Sequence, residues 1–115
     1  MATMITSNTE TSTNGSVLTV WVDENNDGST NIGAATSFAI NVTATGTFKA
    51  GTVTLEVITN GGEWEQIVDD ADATISVDIT SPKVVKVLDI PAYGFRATPV
   101  GFSGVDSYTV TVSGW

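Results

Sequence analysis

The chain has 115 residues, thirteen carboxylates against four bases, a formal net charge of −9, and neither His nor Cys. That length suits one domain around one core. The missing His and Cys remove the commonest general base and the best transition-metal ligands, and the charge disfavours nucleic-acid backbones and anionic membrane surfaces.

Residues 1–16 are rich in Thr, Ser and Asn and carry a single charge, Glu10, with no periodic apolar residues after Ile5. Such a segment buries too little to offset its ordering entropy. It reads as a flexible N-terminal arm, with the β-sandwich domain over 17–115, so truncating the arm should leave the melting temperature nearly unchanged. The opening residues lack a basic n-region and a long apolar h-region, so synthesis and folding in a cytoplasm are expected. No apolar run approaches the roughly 20 residues of a spanning helix.

From residue 17 onward the pattern is short strands between turn residues. Residues 17–22 form the first, followed by the polar loop Asp23-Glu24-Asn25-Asn26-Asp27-Gly28. Residues 37–43 alternate Phe38, Ile40 and Val42 with small or polar neighbours, and residues 52–58 place Val53, Leu55 and Val57 on one face. A period of two gives each strand one buried side and one wet side. Asn60-Gly61-Gly62 is a hairpin signal, because these residues accept positive φ at little cost. Residues 64–68 return from it, and residues 73–79 follow a second acidic loop. The run 84–90, more apolar than its neighbours although Lys86 interrupts it, reads as a central strand. Residues 93–98 make another, stopped by Pro99 because Pro lacks a donor, and residues 107–113 close the chain. Eight strands at roughly ten-residue spacing predict an all-β fold: a single antiparallel β-sandwich, immunoglobulin-like or jelly-roll-like.

The loop at 23–28 matches the opening of a calcium loop, with oxygen ligands at alternate positions and a Gly for the turn. Its twelfth position is Ala34 where a bidentate Glu belongs, and no helices flank it. The loop therefore reads as a plain exposed turn with no cofactor. Asp23, Asn25 and Asp27 are the residues that would face calcium if it bound. The acidic run Glu63, Glu65, Asp69, Asp70, Asp72 and Asp78 contains no base. Paired carboxylates can hydrolyse glycosides across a cleft, yet here they fall in a loop and on an outward strand face, where solvation is the default. Glu63 and Glu65 flank Trp64 and are the better partner contacts. Trp21, Trp64, Tyr93 and Trp115 could form a sugar-stacking platform if two or more were coplanar, although such rings usually serve as core. Trp115 and Arg96, the only Arg, are further candidate anchors for a partner; for Arg96, pairing with an outward Asp on an adjacent strand is the equal alternative. No phosphate loop, metal-spaced set or nucleophile elbow occurs, and the chain reads as non-enzymatic.

The segments Gly62-Glu63-Trp64-Glu65-Gln66-Ile67, Ala73-Thr74-Ile75-Ser76-Val77, Ala92-Tyr93-Gly94-Phe95-Arg96-Ala97 and Tyr108-Thr109-Val110-Thr111-Val112 resemble the small β-sandwich virion proteins of tailed bacteriophages. The likeness covers residues 53–115 and rests on strand texture. It implies a structural virion protein, a capsid decoration or cement subunit made in the host cytoplasm. Its expected partners are major capsid or other virion proteins and further copies of itself, with no nucleic acid and no membrane. The alternative is a carbohydrate-binding or adhesion module.

Overall fold

The computed structural model describes residues 4–29, 35–59, 62–69 and 71–115. Nine strands occur in these residues: β1 (Thr6–Ser12), β2 (Leu18–Trp21), β3 (Phe38–Thr45), β4 (Ala50–Thr59), β5 (Glu65–Gln66), β6 (Ser76–Asp78), β7 (Val85–Val87), β8 (Ala92–Ser103) and β9 (Ser107–Gly114). All pairings are antiparallel. One sheet, A, has the order β1-β9-β3-β7, and the other, B, has β2-β8-β4 with β5 and β6 sharing the outer edge of β4.

This order resolves the architecture. β1 pairs β9, β2 pairs β8, β3 pairs β7, and β4 pairs β5 and β6, as if one long hairpin had been wrapped around a core. Successive pairs alternate between the sheets, which is the jelly-roll arrangement. An immunoglobulin order would keep the last two strands side by side in one sheet. Here β8 and β9 lie in different sheets.

The predicted alternation builds the core. Phe38, Ile40 and Val42 of β3, with Val110 and Val112 of β9, face Val20, Val53, Leu55 and Phe95 from the other sheet, all at 1% exposure or less. Phe38 and Phe95 meet edge-on between the sheets, with centroids 5.0 Å apart. Burying a side chain of this size stabilises by about 1.5–3 kcal/mol. Tyr108 of β9 packs edge-on to Phe102 of β8. Its hydroxyl donates to the Ser16 carbonyl, and burial pushes its pKa up to about 12.

Three expectations are corrected. The N-terminal arm is not outside the sandwich over Thr6–Ser12, because these residues pair along their whole length with β9. An edge strand needs only one hydrogen-bonded neighbour, and Thr suits a pleated, half-exposed surface. The margin slot of Asn8 is polar because its Nδ2 donates to the Trp21 carbonyl across to sheet B. Of the run 84–90 only Val85–Val87 forms a strand, and it lies at the edge of sheet A rather than in its centre: Val85 and Val87 are buried, but Val84 and Leu88 are 49% and 63% exposed. Finally, β8 continues through Pro99 to Ser103. Its neighbour β2 reaches only Ala97, so at Pro99 one side of the strand is open and a donor is dispensable there. The β4–β5 hairpin forms as expected, with Gly62 N donating to Thr59 O. Asn60 and Gly61 lie outside the described residues.

Candidate functional site

The outward residues of sheet B follow from its register. Trp21, Gly94 and Ile58 form one row, and Thr19, Arg96, Glu56 and Gln66 the next. Gly94 leaves a gap in the first row that Trp21 fills. A Cβ at Gly94 would come within 2.7 Å of the Trp21 ring, and one at Gly28 would come equally close. The indole is therefore clasped between the β8 backbone and the 23–28 loop. Trp64 leans on it, with centroids 5.8 Å apart and planes tilted 47°.

Arg96 completes the cluster. Its Nε donates to Glu56 Oε1 at 2.9 Å and its Nη2 to Oε2 at 3.0 Å, while its guanidinium carbon lies 4.6 Å from the centre of the Trp64 ring. A planar fork that binds a carboxylate bidentately while stacking on an aromatic face is geometry that Lys cannot supply. The hydrogen bonds to Glu56 hold the guanidinium above its ordinary pKa. Of the proposed partner residues, the structure brings Trp64 and Arg96 together, with exposed Glu63 and Glu65 beside Trp64 in the chain. Trp115 belongs elsewhere. Its amide donates to Ser37 O and its carbonyl accepts from Thr36 N, extending sheet A.

The rings named as a sugar platform separate in the same way. Tyr93 is buried, and Trp115 lies with sheet A. Trp21 and Trp64 touch, but their tilt and the Arg96 stack make a ridge rather than the coplanar platform that pyranose stacking requires.

In the 23–28 loop, Asp23 is 1% exposed and its Oδ1 accepts the amides of Asp27 and Gly28. Asp27 Oδ1 accepts Ser29 N. These bonds brace the turn, as Asp does in ordinary loops. Among the described residues no cluster of three or more acidic, His or Cys side chains is arranged to hold a metal. Ala34 lies outside those residues. In the second acidic loop, Asp69 likewise accepts Ala71 N and Ala73 N, and Asp70 is outside the described residues. Thr80 donates from both hydroxyl and amide to Asp78, holding that carboxyl below its usual range.

The outer face of sheet A differs in kind. Thr9, Thr111 and Asn41 form one row across β1, β9 and β3, and Thr11, Thr109 and Thr43 form the next. Hydroxyls pair across the strands, Thr9 with Thr111 at 3.1 Å and Thr11 with Thr109 at 2.9 Å. No outward strand position of this face carries a carboxylate among the described residues, and Lys86 on β7 is its one charge.

Sequence reasoning passed over Phe48. It sits in the β3–β4 turn, 95% exposed, with φ at 53°. A left-handed conformation costs a bulky residue about 1–2 kcal/mol. The turn is rigid because it is pressed against the β8–β9 turn: Asp106 N donates to Thr45 O, and a Cβ at Gly46 would lie 1.9 Å from Gly104 O. The available signal was an aromatic between turn residues that belongs to neither strand's alternation.

No protein-family model, curated protein or solved structure matches the chain.

Proposed function

We propose that the chain is a non-catalytic structural subunit of a tailed-bacteriophage virion, a decoration or cement protein seated on the outside of the head. The observation that carries this reading is the segregation of charge. In a chain of net charge −9, the outward strand positions of sheet A carry no carboxylate among the described residues and are ordered into rows of hydroxyls. Such a face can meet another protein without desolvating charge, which interface cores avoid. Most of the acids among the described residues lie in loops, where they keep the body wetted and repel the genome, which favours an exterior position. Jelly rolls build viral capsid domains as well as lectins and cupins, so the fold is compatible and does not discriminate. Repetition on a particle would let weak contacts hold by avidity.

Electron microscopy and mass spectrometry of the source particle test the proposal. Density for the sandwich on the outer shell, with sheet A turned inward, is expected. Thr109→Glu with Thr111→Glu should abolish particle binding while leaving the fold intact. A chain found only free in cytosol, or binding that ignores those charges, would overturn the reading. Carbohydrate binding is the competing reading, and the 47° tilt between Trp21 and Trp64 weighs against it. A glycan array with no signal would remove it.

A further inference from the structure

We propose that the turn joining β1 to β2 is a self-modification site, at which the backbone amide of Gly15 attacks the Asn14 side chain and converts it to aspartate and isoaspartate. The nucleophile is free. Gly15 N donates to no group among the described residues, while its neighbours Asn14 N and Ser16 N both donate to Ser12 Oγ. Asn14 and Gly15 are exposed, and a Cβ at Gly15 would meet nothing within 4 Å. The carbonyl under attack is polarised, because Asn14 Oδ1 accepts from Ser12 Oγ at 2.8 Å, from Ser16 N at 3.3 Å and from Ser16 Oγ. Donors gathered on a carbonyl oxygen stabilise the negative charge that appears there as a nucleophile adds. The leaving group is unhindered, since these bonds all fall on Oδ1 and none on Nδ2.

The donors are held in place from β9. Ser12 is 6% exposed and pairs with Tyr108, and the Tyr108 hydroxyl donates to the Ser16 carbonyl. Groups fixed in this way spare the reaction the freedom it would otherwise have to lose. Asn8, Asn25 and Asn26 lack the free nucleophile. The amides that follow them, Thr9 N, Asn26 N and Asp27 N, donate to Asn8 Oδ1, Asp23 O and Asp23 Oδ1.

The bond from Gly15 N to Asn14 Cγ forms as the Cγ–Nδ2 bond breaks. Gly15 N gives its proton to solvent, and Nδ2 leaves as ammonia with a proton taken from water. Water then opens the resulting cyclic imide, its oxygen adding to one carbonyl carbon while the ring nitrogen departs from that carbon. Opening at the side-chain carbon leaves aspartate at position 14. Opening at the backbone carbon leaves isoaspartate, whose main chain is longer by one carbon. Either product adds a carboxylate to a chain of net charge −9, in the turn that leads from sheet A to sheet B. The inference stands independently of the virion reading, because it requires only this chain and water.

Ageing the purified chain in mildly alkaline buffer, with peptide mapping by electron-transfer fragmentation, tests it. Asn14 should deamidate about tenfold faster than Asn8, Asn25 or Asn26, and isoaspartate should appear beside aspartate. Ser16→Ala removes one donor from Oδ1 and keeps the backbone of the turn, so it should slow the reaction about threefold to tenfold. A turn that reacts only because it is loose would react as fast or faster in that variant. Gly15→Ala should slow Asn14 while Asn60, the other Asn followed by Gly, keeps its wild-type rate. Asn14 ageing no faster than Asn8, Asn25 and Asn26 would overturn the inference. So would aspartate without isoaspartate, or either variant reacting at the wild-type rate.

Discussion

Two turns at opposite ends of the sandwich use the same backbone conformation with opposite side-chain logic. In the 23–28 loop the left-handed positions are held by Asn26 and Gly28, residue types that reach positive φ at little cost. That loop turns its resources inward. Asp23 ties down two amides, Asn26 accepts from Thr6 of β1, and Gly28 lies against Trp21. In the β3–β4 turn the left-handed position is Phe48, which packs against almost nothing. It adds backbone strain and exposed apolar surface with no return inside the molecule. The difference separates a turn built for the fold from a turn whose side chain is aimed outward.

The comparison sharpens if both turns are shown to be stiff and only one to be strained. The largest expected effect is at the base of the outward turn. Gly46→Ala would drive a Cβ into the Gly104 carbonyl at a φ of 144°, and a loss of about 3 kcal/mol or more is expected in urea unfolding. At the inward turn, Asp23→Ala removes the acceptor of two partly buried amides and should lose about 1–2 kcal/mol. A change under about 0.5 kcal/mol would show that the loop braces nothing.

Alkaline pH probes the end that carries Phe48, because Tyr108 lies close to that turn. Its folded-state pKa is raised to about 12, so the unfolded chain loses the phenolic proton first. Stability is therefore full below about pH 10 and falls as pH rises towards 12, by about 1.4 kcal/mol per unit. Tyr108→Phe should flatten that slope. The smallest effect has the opposite sign. Phe48→Asn relieves the left-handed strain and should raise stability by about 1 kcal/mol, an upward shift of about 4–8 °C in Tm. A loss instead would mean that Phe48 serves the fold after all.

Strand existence was legible wherever one face is buried. Phe38, Ile40 and Val42, or Tyr108, Val110 and Val112, alternate because the core demands it, and all six are at 1% exposure or less. β1 was invisible for the complementary reason. Its neighbour β9 supplies the ladder, so Thr-Ser-Asn-Thr-Glu-Thr-Ser needs no apolar alternation. Since β1 belongs to sheet A, deleting residues 1–12 should lower Tm by more than about 5 °C, over about 1 kcal/mol. An unchanged Tm would restore the dispensable arm. The Arg96–Trp64 stack was half legible. Both residues stood out by type, but their meeting with Glu56 and Trp21 depends on registers among β2, β8, β4 and β5, which no local pattern encodes. Phe48 was missed because a turn residue has no periodicity to read.

The pairing of β1 with β9 also has a mechanical consequence. Ile5 N donates to Gly114 O, so the two ends of the described chain lie side by side while their strands run antiparallel. A force that draws these ends apart loads the ladder one bond at a time, like a zip, instead of shearing seven residue pairs together. The sandwich would yield early to tension applied through its ends, whereas a load that slid β1 along β9 would meet every bond of the ladder at once.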